Sequence, residues 1–277
     1  DAKAEALAKS EEVEKISKQL AKYLSPQIHE QIFSGKQSAE VKSNRKKLTV
    51  FFSDIVGFTD ISDELESEEM TNLLNFYLNE MSQIALRFGG TIDKFIGDAL
   101  MIFFGDPDTN GPQEDARKCI QMALEMQKLM NQLSGYWSKN YSLKQDLKIR
   151  IGINTGFCTV GNFGSLDRLD YTAIGSTVNL ASRLESIAEA GSIIISEDTF
   201  ALVNNFFTFK KPKNVKIKGF LRDIKCYELK KEDTSKEDMF SLSGKGFQID
   251  INKKIIKKDA LDEIKNKLSL IMDGDTG

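Results

Sequence analysis

Two apolar segments, Thr91 to Ile96 and Ala99 to Phe104, are separated in the sequence only by the dipeptide Gly97-Asp98. Gly and Asp accept the backbone conformations of a two-residue hairpin turn, and both flanking segments have strand-like composition. The sequence therefore predicts two antiparallel strands joined by a tight turn. This feature constrains the fold most, because it commits this region to a sheet and places Asp98 at the tip of a hairpin.

Strand-like and helical patterns alternate around this hairpin. The further predicted strands are Leu48 to Phe52, Leu147 to Ile153, Ile193 to Ile195, and a final hairpin of Val215 to Lys218 with Ile224 to Leu229. The predicted amphipathic helices are Glu68 to Phe88, Gln113 to Leu133 and Ser176 to Ala188, the last capped by Ser176. The order β-α-β-β-α-β predicts an α/β (α+β) fold with a ferredoxin-like core and additional strands and helices.

The segments that flank this body differ from it in pattern. Residues 1–24 are predicted to form a helical stalk, because Ala6, Val13 and Leu20 have heptad spacing. A parallel coiled-coil dimer is preferred to a helix packed on its own domain, although two heptads are fewer than a coiled coil normally needs. The other predicted segments are a linker at 25–47, the globular domain at 48–229, and a C-terminal extension at 230–277 of unassigned role.

Within the extension, Phe247 to Ile251 is a possible strand, and Leu261, Ile264, Leu268 and Ile271 have helical spacing. Because the sequence begins with Asp and shows no signal peptide, we expect it to be an excised piece of a longer protein or a processed chain.

Composition excludes several classes of function. The 38 Lys and Arg against 41 Asp and Glu give a net charge of −3, without the basic excess of a nucleic-acid-binding protein. No apolar run approaches the ~18 residues that span a bilayer, so no membrane span is expected. The widely spaced Cys119, Cys158 and Cys226 indicate reduced thiols and a cytoplasmic location. The single histidine, His29, precedes the body, so chemistry there must proceed without imidazole.

Two carboxylates are candidate metal ligands. Asp54 ends an apolar strand and precedes a Gly-containing turn, Val56 to Thr59, whose backbone N–H groups can bind phosphate. If the hairpin pairs beside this strand, Asp98 approaches Asp54 at one sheet edge. Two hard oxygen ligands suit Mg²⁺ or Mn²⁺. Taken alone, an Asp at a strand end such as Asp54 is more often a cap or turn residue, and Asp98 alone is also typical of an ordinary turn.

Polar residues within the predicted helices and strands are further candidates. Asn179 and Arg183 lie four residues apart and share a helix face, where they can bind a sugar or a phosphoryl group. The alternative is an ordinary solvated face. Lys94, Arg150 and Lys218 stand in strand-like segments, where each can also be an edge residue with its charge in solvent.

Competing nucleotide-binding motifs are incomplete. Gly156 to Gly161 has P-loop spacing but continues with Asn162-Phe163 in place of Lys-Ser/Thr. The GxGxxG fingerprint is absent, and Gly89-Gly90 continues into Thr91-Ile92 and not into the acidic pair of a diguanylate cyclase.

Three segments together resemble the catalytic domain of class III nucleotide cyclases. They are Phe52-Ser53-Asp54-Ile55-Val56-Gly57-Phe58-Thr59, Lys94-Phe95-Ile96-Gly97-Asp98-Ala99 and Asp170 to Arg183, which reads DYTAIGSTVNLASR. The resemblance covers roughly Leu48 to Leu229. In addition, Tyr23-Leu24-Ser25-Pro26 resembles a segment that often joins a sensor to such a domain, so a sensor domain is expected upstream.

The resemblance implies a role for each candidate residue. Asp54, Ile55 and Asp98 would bind two Mg²⁺ or Mn²⁺ ions, and Val56, Gly57, Phe58, Thr59 and Arg150 would hold phosphates. The family works as a head-to-tail homodimer, so Lys94, Thr172, Asn179, Arg183 and Lys218 would come from the opposite protomer. Asn179 would orient the ribose, Arg183 would stabilise charge at the α-phosphate, and Lys218 would contact phosphate.

The base-reading positions of the family predict the substrate. Lys94 and Thr172 suit the N1 acceptor and amino group of adenine, whereas guanylate cyclases carry an acidic residue at the first position. The sequence therefore predicts an adenylate cyclase acting on ATP. Two alternatives are a guanylate cyclase and a regulatory or dimerisation module that binds nucleotide without turnover.

Overall fold

The computed structural model describes residues 2–35, 40–141, 143–165, 167–217, 219–220, 222–230, 239–244, 247–252 and 264–265. The chain forms two compact units. The first comprises Asp1–Asn205 and Phe209–Leu229, and the second comprises Phe206–Thr208 and Lys230–Gly277.

An eight-stranded sheet is the centre of the first unit. Its strands are β1 Ser43–Ile55, β2 Thr91–Ile96, β3 Ala99–Phe104, β4 Ile149–Gly164, β5 Leu169–Ile174, β6 Ile193–Ser196, β7 Lys213–Val215 and β8 Ile224–Glu228. The hydrogen-bonded order is β2-β3-β1-β4-β6-β8-β7, with β5 paired to β4. The β2-β3-β1-β4 portion, with helices between β1 and β2 and between β3 and β4, is the predicted ferredoxin-like core. The predicted fold class is therefore confirmed.

Eight α-helices accompany the sheet in the described residues. They are α1 Ala2–Leu20, α2 Pro26–Phe33, α3 Phe58–Glu64, α4 Ser67–Arg87, α5 Pro112–Gln132, α6 Tyr136–Tyr141, α7 Ser176–Ser186 and α8 Glu197–Val203, with a 3₁₀ turn at Ala21–Tyr23. Helices α4 and α5 agree with the sequence prediction within one residue at each end, and the hairpin of β2 and β3 agrees with it fully.

The two faces of the sheet are covered by different helices. Thr49 of β1 belongs to a buried hydroxyl cluster with Thr155 and with Thr199 of α8, and α8 packs on α5. Its neighbour Val50 points to the opposite face, where it packs with Ala181 of α7. A β-carbon on Gly152 would overlap the α7 backbone at Ala181 and Glu185, so this glycine permits the close approach of α7.

Several predicted boundaries were wrong. Part of the predicted linker 25–47 is helical in α2, and β1 begins at Ser43, because its charged first residues pair with β4 outside the apolar core. The predicted strand at Leu147 continues as β4 to Gly164, and β5 was not predicted. Ser176 is the first residue of α7; the capping position is Gly175, whose φ of 137° suits glycine.

The second unit contains an antiparallel hairpin of β9 Met239–Gly244 and β10 Phe247–Asn252, which confirms the strand predicted at Phe247 to Ile251. The helix predicted around Leu261 to Ile271 lies outside the described residues, apart from two helical positions at 264–265. Among the described helices, none is long and apolar enough to cross a membrane. All three cysteines are buried free thiols.

Candidate active site

The carboxylates of Asp54 and Asp98 meet at one edge of the sheet. Asp54 is the penultimate residue of β1, and Asp98 lies in the turn between β2 and β3. The Oδ2 atom of Asp98 accepts a 2.9 Å hydrogen bond from the backbone N–H of Ile55, which fastens the hairpin tip to the end of β1. The structure thus brings the predicted carboxylate pair together.

The electrostatics of this pair fit a divalent cation. Burial raises the pKa of Asp98 to about 7, and the hydrogen bond and negative charge of Asp54 act in the same direction. Two adjacent carboxylates are hard oxygen ligands whose mutual repulsion a bound cation would neutralise. The donor set therefore suits Mg²⁺ or Mn²⁺.

Without metal, Asp98→Asn should stabilise the protein. The pKa of Asp98 is raised from 3.8 to about 7 by folding, so the penalty for ionisation is complete above pH 7 and absent below about pH 4. Because the carboxyl is half-exposed, solvent screening reduces this penalty. We therefore expect Asp98→Asn to raise the free energy of unfolding by about 1–2 kcal/mol at pH 8. Thermal unfolding at pH 8 and at pH 4, with EDTA present, checks this. Equal stabilisation at pH 8 and pH 4 would contradict the proposed repulsion.

Arg150 lies beside the carboxylate pair. It faces Asp54 across the β1–β4 ladder and donates a 2.7 Å hydrogen bond from Nη2 to Asp54 Oδ2. Its Nε lies 2.6 Å from Glu185 Oε1, and its Nη1 donates to the Ser186 carbonyl at 3.1 Å. Glu185, a buried residue that the sequence analysis missed, thus helps to position this guanidinium.

The turn after β1 differs in one respect from the predicted phosphate-binding loop. The backbone N–H of Val56 donates to the Lys148 carbonyl at 2.9 Å, so it already has a partner within the chain, and its predicted phosphate contact stays a prediction. Gly57 has a φ of 73° and precedes α3, which begins at Phe58. The first N–H groups of a helix lack partners within the helix, so Gly57, Phe58 and Thr59 remain the candidate phosphate donors.

Helix α7 has one buried and one exposed face. Ala181, Leu184 and Glu185 are buried, whereas Asn179 and Arg183 are exposed, as the four-residue spacing predicts. At about 100° per residue, Arg183 points roughly 200° away from Glu185 around the helix. Because Glu185 faces Arg150 and Asp54, Arg183 faces away from the carboxylate pair of its own chain.

Lys94 and Thr172 are joined by Asp93, a residue that the sequence analysis did not single out. Thr172 Oγ1 donates a 2.6 Å hydrogen bond to Asp93 Oδ2, and Lys94 Nζ lies 3.3 Å from Asp93 Oδ1. Burial raises the pKa of Asp93, while the bond from Thr172 and the charge of Lys94 act against this. Asp93 thus links the two predicted base-reading residues, and its hydrogen bond with Thr172 spans 79 residues of sequence. Lys218 lies outside the described residues.

Comparisons with known proteins identify the family. Residues 40–231 match the family described as the adenylate and guanylate cyclase catalytic domain. The chain is 33% identical over 193 residues to an adenylate cyclase of Anabaena cylindrica, covering 68% of this chain and 38% of that protein. It is 34% identical over 198 residues to the receptor-type guanylate cyclase gcy-13 of Caenorhabditis elegans, covering 71% of this chain and 18% of that protein.

Solved structures show the same relationship. The adenylyl cyclase CyaB from P. aeruginosa is 53% identical, with a TM-score of 0.66 over 68% of this chain and 96% of that chain. The guanylyl cyclase Cya2 is 34% identical, with a TM-score of 0.64 over 68% of this chain and 93% of that chain. The fold is that of the nucleotide cyclase catalytic domains in these structures. The chain belongs to the adenylate and guanylate cyclase catalytic domain family.

Proposed function

We propose that this chain is an adenylate cyclase, which converts ATP into 3′,5′-cyclic AMP and pyrophosphate. The observation that carries the choice of ATP is the meeting of Lys94 and Thr172 at Asp93. A cationic donor beside a hydroxyl matches the N1 acceptor and the amino group of adenine. A guanylate cyclase remains the second candidate, because several relatives of similar identity carry that name.

The reaction needs positioning and charge stabilisation more than proton transfer by histidine. The ribose 3′-oxygen attacks the α-phosphorus in line, its proton is lost, and the bond to the bridging oxygen breaks to release pyrophosphate. Asn179 orients the ribose, and Arg183 stabilises the negative charge that develops on the α-phosphoryl oxygens.

The remaining site residues hold the triphosphate. The N–H groups of Gly57, Phe58 and Thr59 would bind phosphate oxygens, and Lys218 would add a cationic contact. Arg150 would exchange its bond with Asp54 for a phosphate, with Glu185 keeping its guanidinium in place. Asp54, Asp98 and the backbone of Ile55 would hold two Mg²⁺ or Mn²⁺ ions. Bound metal supplies activation of the 3′-hydroxyl and neutralisation of the β- and γ-phosphates.

A second copy of the chain would complete each site. Because Arg183 faces away from Asp54 within one chain, a head-to-tail homodimer is needed to bring the two together. Exposed apolar side chains on the strands near the base-reading residues support such a surface: Phe95 is 47%, Ile96 54%, Phe157 57% and Ile174 47% exposed.

The N-terminal helix would stabilise this dimer. Val13 and Ile16 of α1 are 64% and 49% exposed, so about half or more of each is available to a second stalk. Deleting residues 1–24 should therefore weaken dimerisation at least about tenfold, because the coiled-coil seam is lost. Analytical ultracentrifugation checks this. Unchanged dimer affinity and activity would indicate that the stalk contributes nothing to assembly.

We further propose a cytoplasmic location, supported by the three free thiols, and a role as the output domain of a signalling protein. The chain spans about two fifths of the Anabaena relative, whose remaining length can accommodate a sensor.

Cyclic nucleotide production by the purified chain tests the proposed activity. We expect cyclic AMP from ATP with Mg²⁺ or Mn²⁺ and much less cyclic GMP from GTP, with Asp98→Ala as the inactive control. Cyclic GMP as the main product would favour the guanylate cyclase alternative. Nucleotide binding without product from a dimeric sample would favour a regulatory module.

Lys94→Glu tests the base assignment. A carboxylate facing the base repels the N1 lone pair of adenine and accepts the N1–H of guanine, so the preference for ATP over GTP should fall at least about tenfold. The ratio of kcat/KM for the two nucleotides measures this effect. A variant that kept the full ATP preference would remove Lys94 from the base pocket.

A further inference from the structure

Asp93 occupies an unusual position in the edge strand β2. The register between β2 and β3 shifts between Ile92 and Lys94, so Asp93 is the extra residue of a β-bulge. Its side chain is fully buried, although acidic residues in an edge strand are normally exposed. A bulge commonly redirects a side chain, and here the carboxylate meets β5.

Three groups contact the Asp93 carboxylate. Thr172 Oγ1 lies 2.6 Å and the backbone nitrogen of Ala173 lies 3.1 Å from Oδ2, whereas Lys94 Nζ lies 3.3 Å from Oδ1. A carboxylate can only accept hydrogen bonds, so the Thr172 hydroxyl and the Ala173 N–H are the donors to Oδ2, whereas Lys94 forms an ion pair with Oδ1. Asp93 therefore contacts both base-reading residues and the backbone that follows Thr172.

This arrangement fixes the direction of the Thr172 hydrogen bond. A threonine hydroxyl carries one proton, and the short bond to Asp93 uses it. The Ala173 carbonyl lies 3.5 Å from the same hydroxyl, at the limit of a hydrogen bond, and competes poorly with a charged acceptor. Toward any ligand, the Thr172 oxygen therefore presents only lone pairs.

We propose that Asp93 determines purine selectivity by keeping the Thr172 hydroxyl a hydrogen-bond acceptor toward the base. The proposal rests on the proposed function, in which Lys94 and Thr172 read the base. Adenine presents a 6-amino donor to this acceptor and an N1 acceptor to Lys94. Guanine presents the O6 acceptor and the N1–H donor, so both contacts become mismatches. Asp93 is a positioning residue, since it acts through Thr172.

Removing the carboxylate should relax this selectivity. In Asp93→Ala and Asp93→Val, the Thr172 hydroxyl can rotate and donate to guanine O6, so the ratio of kcat/KM for ATP over GTP should fall about tenfold. Thr172→Val, which removes the acceptor, should also lower the ratio. Adding Asp93→Ala to Thr172→Val should lower it no further, because the two residues act through one hydrogen bond.

Two control variants separate this role from a structural one. Asp93→Asn should keep the ratio, because the Ala173 N–H holds the amide oxygen where Oδ2 lies and the Thr172 bond survives. Tyr171→Phe removes another hydrogen bond from β5 to the sheet, the one to Asp106, and should leave the ratio unchanged. Thermal unfolding identifies variants that are not folded. If Asp93→Ala does not fold, Asp93→Val replaces it, because valine is favoured in strands.

The result that would overturn the role of Asp93 differs from the result that would overturn the proposed function. Asp93→Ala or Asp93→Val proteins that make cyclic AMP with the parent ATP-to-GTP ratio would overturn the proposal, as would an additive loss in the double variant. If the unsubstituted chain makes no cyclic AMP from ATP, the proposed function itself fails, and this result is seen before any Asp93 variant is measured.

Discussion

Arg183→Ala is expected to lower kcat for cyclic AMP formation by about 10²- to 10³-fold with little change in KM. The reason is that the guanidinium stabilises charge that develops on the α-phosphoryl group only in the transition state. Because Arg183 is exposed on α7, its removal should change the free energy of unfolding by less than about 0.5 kcal/mol. Steady-state kinetics and thermal unfolding measure the two effects.

Arg183→Lys is the matched control for this prediction. It keeps the positive charge but loses the planar arrangement of donors, so it should recover only part of the lost rate. If Arg183→Ala raised KM and left kcat intact, the arginine would contribute to ground-state binding and not to the chemical step.

Asp54→Ala should abolish turnover, with a loss of at least about 10³-fold, because it removes half of the carboxylate pair proposed to hold the metals. The affinity for Mn²⁺, followed by electron paramagnetic resonance, should fall more than about 100-fold. The fold should survive, since Arg150 retains its contacts with Glu185 and the Ser186 carbonyl.

Asp60→Ala is the control for this variant. Asp60 is an exposed carboxylate in α3, so its removal changes net charge equally but should leave metal affinity and turnover within about twofold. An Asp54→Ala protein that bound Mn²⁺ as tightly as the parent would place the metal elsewhere.

Local patterns in the sequence were sufficient to predict the centre of the fold. The β2–β3 hairpin is correct at every boundary, because two apolar segments flank a dipeptide suited to the turn. Helices α4 and α5 are long and strongly periodic, and they too are correct within a residue. The carboxylate pair was predicted from the same hairpin, because pairing of the hairpin with β1 places Asp98 in the turn beside Asp54 at the end of β1.

Features that depend on distant contacts were not predicted. Strand β5 was missed although apolar and polar residues alternate from Leu169 to Ala173, and the second half of β4 was missed because Gly156, Gly161 and Gly164 weaken its strand pattern. From the sequence alone, Asp93 resembles a solvent-facing strand residue. Its burial depends on β5, where Thr172 and Ala173 donate hydrogen bonds to it. Glu185 shares a helix face with Ala181 and Leu184, and this spacing was the available evidence for its burial.

In the proposed mechanism, ATP is cyclised in sites shared between two copies of the chain. Co-expression of Asp54→Ala and Arg183→Ala chains with different affinity tags, followed by purification of dimers through both tags, tests this sharing most directly. Each variant alone should be inactive. The mixed dimer contains one site with both substitutions and one intact site, so it should regain about half of the parent activity. Mixed dimers as inactive as either variant alone would contradict the shared site.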